Sequence, residues 1–105
     1  MPWIYLFVAG VLEIVWAYSM KQSHGFSRLT PSLITITAMV ASFWLLAIAM
    51  RTIPLGTAYT IWTGIGALGT FLVGIVLLAE HVNTARIIAA ALISSGLVLM
   101  KLSSP

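Results

Sequence analysis

Residues 3–20, WIYLFVAGVLEIVWAYSM, form an apolar run of the length that crosses the hydrocarbon core of a bilayer as one helix. A single ionisable residue, Glu13, interrupts this run. Three further apolar runs follow at 29–50, 55–79 and 85–102, and only short polar stretches separate them. The sequence therefore predicts an all-α membrane protein, in which residues 1–105 make a single domain of four transmembrane helices.

The composition supports a membrane protein and excludes several other classes. Of the 105 residues, 61% are hydrophobic and 7% are charged, whereas soluble domains carry about 25% charged residues. The formal net charge of +3 reflects only two acids against five Lys and Arg, so no basic surface for nucleic acid is expected. With no cysteine and no chain left over for a catalytic domain, the sequence predicts neither a disulfide scaffold nor an enzyme.

The basic residues at the ends of the runs do not favour one orientation in the membrane. If the turns alternate sides, Arg51 and Lys101 lie on one face, and Lys21, Arg28 and Arg86 lie on the other. Orientation follows an excess of Lys and Arg on the cytoplasmic side, and this excess is almost nil. Either both orientations insert and pair as an antiparallel dimer, or the first loop decides weakly.

Glu13 is the residue on which the functional prediction depends. It lies ten residues after Trp3, or about 15 Å along a helix, which places it near the middle of the bilayer. An ionisable group there is costly and usually functional. No other run carries a Lys, Arg or His at that depth. The alternative is a structural carboxyl that stays protonated or bonds to a neighbouring helix.

A carboxyl in an apolar site holds a proton until a cation arrives, because desolvation penalises the anion. A proton and a cation would then compete for one site, as proton-coupled cation exchange requires. A channel would need a file of polar residues, and the sequence has none. Glu13 is therefore predicted to bind protons and substrate cations alternately.

Several residues are candidates for the walls of this site. Trp16 lies one helical turn after Glu13. Tyr59 and Trp62 share a face of the third run with Thr63 and Gly66, and aromatic rings attract cations, although they also serve as interfacial anchors. Ser42 lies in the middle of the second run, where it could bond Glu13 or Trp16, or else a carbonyl of its own helix.

Small residues are concentrated in the last two runs. Gly64, Gly66 and Gly69 could let the third helix bend during alternating access, and close packing explains them equally well. Ala89 and Gly96 lie seven residues apart and suggest a dimer seam, with lipid-facing filler as the alternative. A single copy would enclose a poor cavity, so the sequence predicts two copies that form an eight-helix bundle. If the two copies insert in opposite orientations, they are related in the same way as the inverted repeats of secondary transporters. No cofactor is expected, and His24 and His81 lack the further ligands that a metal site needs.

Ordered motifs across the chain resemble the small multidrug resistance family. They are Glu13 in the first run, GFSRLTPS at 25–32 and GTAYTIWTGIG at 56–66. Within that family, EIVWA at 13–17, Ser42 and TGIGALG at 63–69 are similar to the guanidinium-exporter subtype, because the polyaromatic drug exporters have Gly-Thr where this chain has Trp16 and Ala17.

The resemblance implies an antiparallel, dual-topology homodimer in the bacterial inner membrane that exchanges protons for guanidinium. It also implies that Glu13 binds proton and substrate alternately, and that Trp16, Ser42, Tyr59 and Trp62 line the pocket. A planar guanidinium matches a carboxylate in a two-point fork and stacks on aromatic rings. The alternatives are an exporter of quaternary ammonium and other lipophilic cations, and an accessory membrane subunit that transports nothing.

Overall fold

Four α-helices make up most of the computed structural model, which describes residues 2–103. They are α1 (Pro2–Gln22), α2 (Leu29–Ala49), α3 (Leu55–Leu78) and α4 (Thr84–Leu102). Each is long and apolar enough to cross a membrane. In lipid a helix satisfies its own backbone polar groups, so uninterrupted apolar runs of this length become helices. The predicted all-helical fold with four spans is confirmed, and every helix begins and ends within two residues of its predicted bounds.

Local sequence signals account for most of the helix ends. Pro31 lies in the first turn of α2 and Pro54 immediately precedes α3, where a proline costs no helical hydrogen bond. α3 ends at Leu78 and is capped by Ala79, which adopts the left-handed conformation with φ 52°. Asn83 caps α4 by accepting a hydrogen bond from the backbone N–H of Arg86 at 2.9 Å, as asparagine commonly does at this position.

The turn between α1 and α2 is built around Ser23, which is fully buried. Its Oγ donates to the Met20 carbonyl at 2.7 Å and accepts from the Phe26 N–H at 3.0 Å. His24, Gly25 and Phe26 all have positive φ. The left-handed conformation is unfavourable for non-glycine residues, and the hydrogen bonds of Ser23 hold the turn in it.

The helices form a flat layer rather than a closed bundle. α1 packs against both α2 and α3, while α4 packs on α3, and the Cα extents are 43 × 35 × 16 Å. The smallest extent is less than half of either of the other two. A core of mostly aliphatic residues joins the first three helices; it comprises Leu6, Ala9, Leu46, Ala49, Ile53, Ala58, Ile61 and Trp62.

α4 is the least buried helix of the layer. None of its described residues is buried, and large side chains such as Leu92 and Leu99 are each 67% exposed. In a bilayer such side chains face lipid or another helix without penalty, because lipid tails are as apolar as they are. The other helices therefore cover little of the surface of α4.

Candidate functional site

The carboxyl group of Glu13 lies between α1 and α3 against the backbone of Gly66. A Cβ atom at Gly66 would overlap the Glu13 carboxyl carbon and Oε1, so the space that holds the carboxyl exists because residue 66 has no side chain. Glu13 Oε1 is buried and has no hydrogen-bond partner among the described residues. Since buried polar atoms are nearly always paired, this oxygen is an acceptor that can bind a ligand.

Two further glycines let α1 and α3 approach closely beside this carboxyl. A Cβ at Gly69 would overlap the side chain of Ile14, and one at Gly10 would lie 2.6 Å from Ile65 Cγ2. Gly64 serves the other side of α3, where a Cβ would overlap Leu97 of α4. These contacts explain Gly64, Gly66 and Gly69 by packing. α3 is one continuous α-helix from Leu55 to Leu78, and a bend at these glycines stays a prediction.

Trp16 lies one helical turn beyond Glu13 and carries the second unpaired polar atom of the site. Its indole Nε1 is buried without a hydrogen-bond partner among residues 2–103. The ring meets Phe43 of α2 edge-on, with the ring centroids 6.3 Å apart and an interplanar angle of 71°. An unpaired acceptor and an unpaired donor therefore lie one turn apart on α1.

Ser42 joins three helices through one hydroxyl group. Its Oγ donates to the Ala9 carbonyl of α1 at 2.7 Å and accepts from Trp62 Nε1 of α3 at 3.0 Å. Both expectations for this residue were therefore wrong: Ser42 bonds neither Glu13 nor Trp16, and it does not bond a carbonyl of its own helix. The close approach of α1 to α2 at Ala9 brings the Ala9 carbonyl within hydrogen-bond distance of Ser42 Oγ.

The other buried hydroxyls of α2 behave differently from Ser42. Ser32 and Thr35 donate to the carbonyls four residues earlier, Arg28 and Pro31. Such back-bonding satisfies a hydroxyl inside one helix. Ser42 is thus the member of this set with an interhelical role, and it fixes the indole of Trp62.

An aromatic chain runs from Trp16 to Tyr59. Phe43 lies between Trp16 and Trp62, with 5.7 Å between the Phe43 and Trp62 ring centroids, and Tyr59 follows at 5.6 Å from Trp62. Trp62 is buried, whereas Tyr59 is 53% exposed. Ring contacts and one hydrogen bond therefore connect Trp16, Ser42, Tyr59 and Trp62 in one cluster, and Trp16 lies one helical turn from Glu13.

Phe43 was missed by reasoning from the sequence. It follows Ser42 in an apolar run. In this run both the lipid-facing and the inward-facing residues are apolar, so hydrophobic periodicity does not show which residues face inward. The available signal was the aromatic ring itself, directly next to a mid-span serine. Phe43 now adds a ring to the candidate wall of the site.

The two predicted seam residues of α4 lie beside grooves on one flank of the α3–α4 contact. Gly96 lines a groove of about 470 Å³ together with Tyr59 and Thr63. Ala89 lines a second groove of about 220 Å³. A Cβ at Gly96 would meet nothing within 4 Å, so no packing within one chain requires a glycine there. Among the described residues, no three His, Cys, Asp or Glu side chains come together in a group that could hold a metal ion.

The chain is similar to known proteins over nearly its whole length. The family described as Small Multidrug Resistance protein matches residues 1–93. A guanidinium exporter of Yersinia pseudotuberculosis serotype I (strain IP32953) is 58% identical over 104 residues, which cover 99% of this chain and 100% of that protein. A guanidinium exporter of Salmonella typhimurium is 58% identical and one of Escherichia coli (strain K12) is 57% identical, with 99% of each chain covered.

These similarities confirm the predicted family and the prediction of a transporter rather than an enzyme. Together with the four apolar helices, they indicate a multi-pass protein of the bacterial inner membrane. A match over residues 1–93 and identities of 57–58% along the full length leave no large part of the chain outside the likeness. The chain belongs to the small multidrug resistance family.

Proposed function

We propose that this protein exports guanidinium and small guanidinyl cations in exchange for protons, with the Glu13 carboxylate binding a proton or a cation in turn. The relatives named guanidinium exporter are similar over the whole chain and support the substrate class. The observation that carries the proposal is the Glu13 carboxyl itself, which lies on the bare backbone of Gly66 with an unpaired buried oxygen.

The chemistry of the surrounding side chains suits a flat cation with several N–H donors. A carboxylate accepts two parallel hydrogen bonds from a guanidinium group. Aromatic rings attract such a cation to their faces, and Trp16, Phe43, Trp62 and Tyr59 form a continuous chain of rings. The fixed indole of Trp62, held by Ser42, would give the pocket a constant shape on one side.

Exchange follows if the two ligands exclude one another. A proton on Glu13 removes the negative charge that the guanidinium needs, and a bound guanidinium stabilises the charge that the proton would remove. Each binding event therefore lowers the affinity for the other ligand. Moving the site between the two sides of the membrane then couples the downhill flow of protons to uphill export.

A second copy of the chain is part of the proposal. The layer is 16 Å in its smallest Cα extent, which is too thin to surround a ligand. Tyr59 is more than half exposed, and none of the described residues of α4 is buried. An antiparallel homodimer, consistent with the balanced basic residues, would cover these groups.

The test uses purified protein in liposomes with an imposed pH gradient. Uptake of guanidinium is compared with uptake of a tetraalkylammonium ion for the wild type, for Glu13→Gln and for Glu80→Gln. Glu80 is the matched control, since it is the other acidic residue of the chain and lies outside the helices. We expect Glu13→Gln to fall to the rate of protein-free liposomes and Glu80→Gln to keep gradient-driven guanidinium uptake.

The same assay separates the alternatives. Uptake by the wild type and by Glu13→Gln that both equal the rate of protein-free liposomes would contradict both transporter functions and favour an accessory subunit. Equal uptake above that rate would contradict the role of Glu13. A wild type that prefers the tetraalkylammonium ion would contradict the guanidinium assignment and favour a broad exporter of lipophilic cations.

A further inference from the structure

A third groove lies on the side of the α3–α4 contact that is opposite to Gly96. It has a volume of about 320 Å³ and runs between α1, α3 and α4. Its walls are apolar along most of their length, and they include Trp3 and Phe7 of α1, Ile65 of α3, and Val98 and Leu102 of α4. Phe7 and Val98 are each 59% exposed, so the groove is open along its side.

One charged residue, Lys101, lies at the end of this groove. Its Nζ lies 4.3 Å from the centroid of the Trp3 ring. The two acids of the chain are far from it: Glu13 is in the middle of α1, and Glu80 precedes the opposite end of α4, about 26 Å away along that helix. Lys101 therefore has no carboxylate partner among the described residues, and the ring leaves its N–H donors able to bind an anion.

The basic residues at this end of the layer add to the local positive charge. The beginning of α1, the α2–α3 turn and the end of α4 lie at the same end of the layer. The described residues of these three segments include Arg51 and Lys101 and no Asp or Glu. Trp and Lys are the residues that anchor helices at the headgroup level of a bilayer. A basic residue at the mouth of an apolar groove between transmembrane helices is the arrangement that recognises an anionic lipid headgroup.

We propose that this groove binds an anionic phospholipid, with one acyl chain between α1 and α4 and the phosphate headgroup at Lys101. The charge of Lys101 favours an anionic headgroup over a zwitterionic one. The groove faces away from the flank that carries Tyr59, Gly96 and Ala89, so a second copy seated on that flank leaves the lipid site open. The lipid would brace α4 against α1. The backbone of α4 lies close to that of α3 alone among the helices, and the Lys101 side chain contacts α1 at Trp3.

The lipid site is tested by native mass spectrometry of the full-length protein released from vesicles of phosphatidylglycerol and phosphatidylcholine. The variants are Lys101→Gln, Lys101→Arg, Val98→Phe and Arg51→Gln. Arg51→Gln is the matched control, because it removes the same charge from the same end of the layer without lining the groove. We expect the wild type, Lys101→Arg and Arg51→Gln to retain phosphatidylglycerol selectively, and Lys101→Gln to retain about fivefold less of it.

Val98→Phe tests the contribution of the apolar groove independently of the charge of Lys101. It keeps Lys101 and places a ring where the acyl chain would lie, so it should also lose bound phosphatidylglycerol. An equal loss in Lys101→Gln and Arg51→Gln would overturn the proposal, because it would show a general attraction of anionic lipid to positive charge. Unchanged retention in Val98→Phe would overturn the position of the acyl chain.

A fluorescence measurement decides between a lipid and a second copy in the groove. Lipids with brominated acyl chains quench tryptophans that they touch, and the contribution of Trp3 is the difference between the wild type and Trp3→Phe. We expect brominated phosphatidylglycerol to quench this contribution more than brominated phosphatidylcholine does. A Trp3 signal that neither lipid quenches would show that protein covers the groove, and would overturn the proposal whether or not guanidinium transport is found.

Discussion

Gly66 shapes the site through the side chain that it lacks. The Glu13 carboxyl occupies the volume that any other residue would fill with its Cβ atom. Both groups lie inside membrane-spanning helices, where the backbone has little freedom to move aside. The position of the carboxyl therefore depends on Gly66 as directly as on α1.

Replacing Gly66 by alanine should displace the carboxyl and reduce gradient-driven guanidinium uptake by about 10- to 100-fold, since displacing a reacting group by about 1 Å has effects of this size. Gly56→Ala is the control on the same helix, because a Cβ there meets nothing within 4 Å. Uptake rates and circular dichroism of both variants check the prediction. Normal uptake by Gly66→Ala would show that the carboxyl does not act from this position.

The sequence grouped Trp16, Ser42, Tyr59 and Trp62, which ring contacts and one hydrogen bond connect in the structure, but it did not predict their bonds. That these residues line the site stays a prediction. Glu13 stood out because a charged residue in an apolar run has a large free-energy cost. Tyr59 and Trp62 stood out because residues three apart lie on one face of a helix. The partners of Ser42 depend instead on which carbonyl of α1 lies opposite it. That register is set by the packing of small residues such as Ala9, and hydrophobicity along one helix does not encode it.

Among the helices, α4 is the one that the rest of the described chain covers least. Its run of apolar residues was enough to predict that it spans the membrane, but not that its backbone would lie close to that of α3 alone. Any face of an apolar helix is compatible with lipid, so the pattern of side chains cannot show which face is covered. The spacing of Ala89 and Gly96 remains the signal that favours a protein seam.

A leucine at Gly96 should weaken dimerisation by about 1–3 kcal/mol, the usual cost of overfilling a packed contact. The single chain has room for the change, because a Cβ at Gly96 meets no atom within 4 Å and Gly96 lines a groove of about 470 Å³. Ala91→Leu is the control, since the separation of five residues between Ala91 and Gly96 turns the two positions about 140° apart around the helix. Single-molecule photobleaching in lipid measures the fraction of dimers. Equal dimer fractions in both variants would place the seam elsewhere.

The whole chain has nearly balanced basic residues on its two faces, and this balance underlies the prediction of two orientations. Lys21→Gln with Arg28→Gln leaves Arg51, Lys101 and the terminal amine on one face against Arg86 alone on the other. Arg51→Gln with Gln22→Lys leaves an excess on the other face. Since the face richer in Lys and Arg stays in the cytoplasm, each double variant should insert in one orientation only.

If the working unit is antiparallel, each double variant alone should lose resistance to guanidinium, and co-expression of the two should restore it. Labelling of single cysteines, which the chain otherwise lacks, reports the orientation of each. Full resistance from one singly oriented variant would contradict the antiparallel dimer and favour a parallel one.

The hydroxyl of Ser42 has a consequence for the rate of transport. The Ser42 oxygen bonds both a carbonyl of α1 and an indole of α3. Sliding between those helices must therefore break one of the two hydrogen bonds, and this buried position offers no water to replace it. The turnover of the carrier should then carry a steep temperature coefficient. Ser42→Ala removes both hydrogen bonds, so the turnover rate of this variant should depend less steeply on temperature.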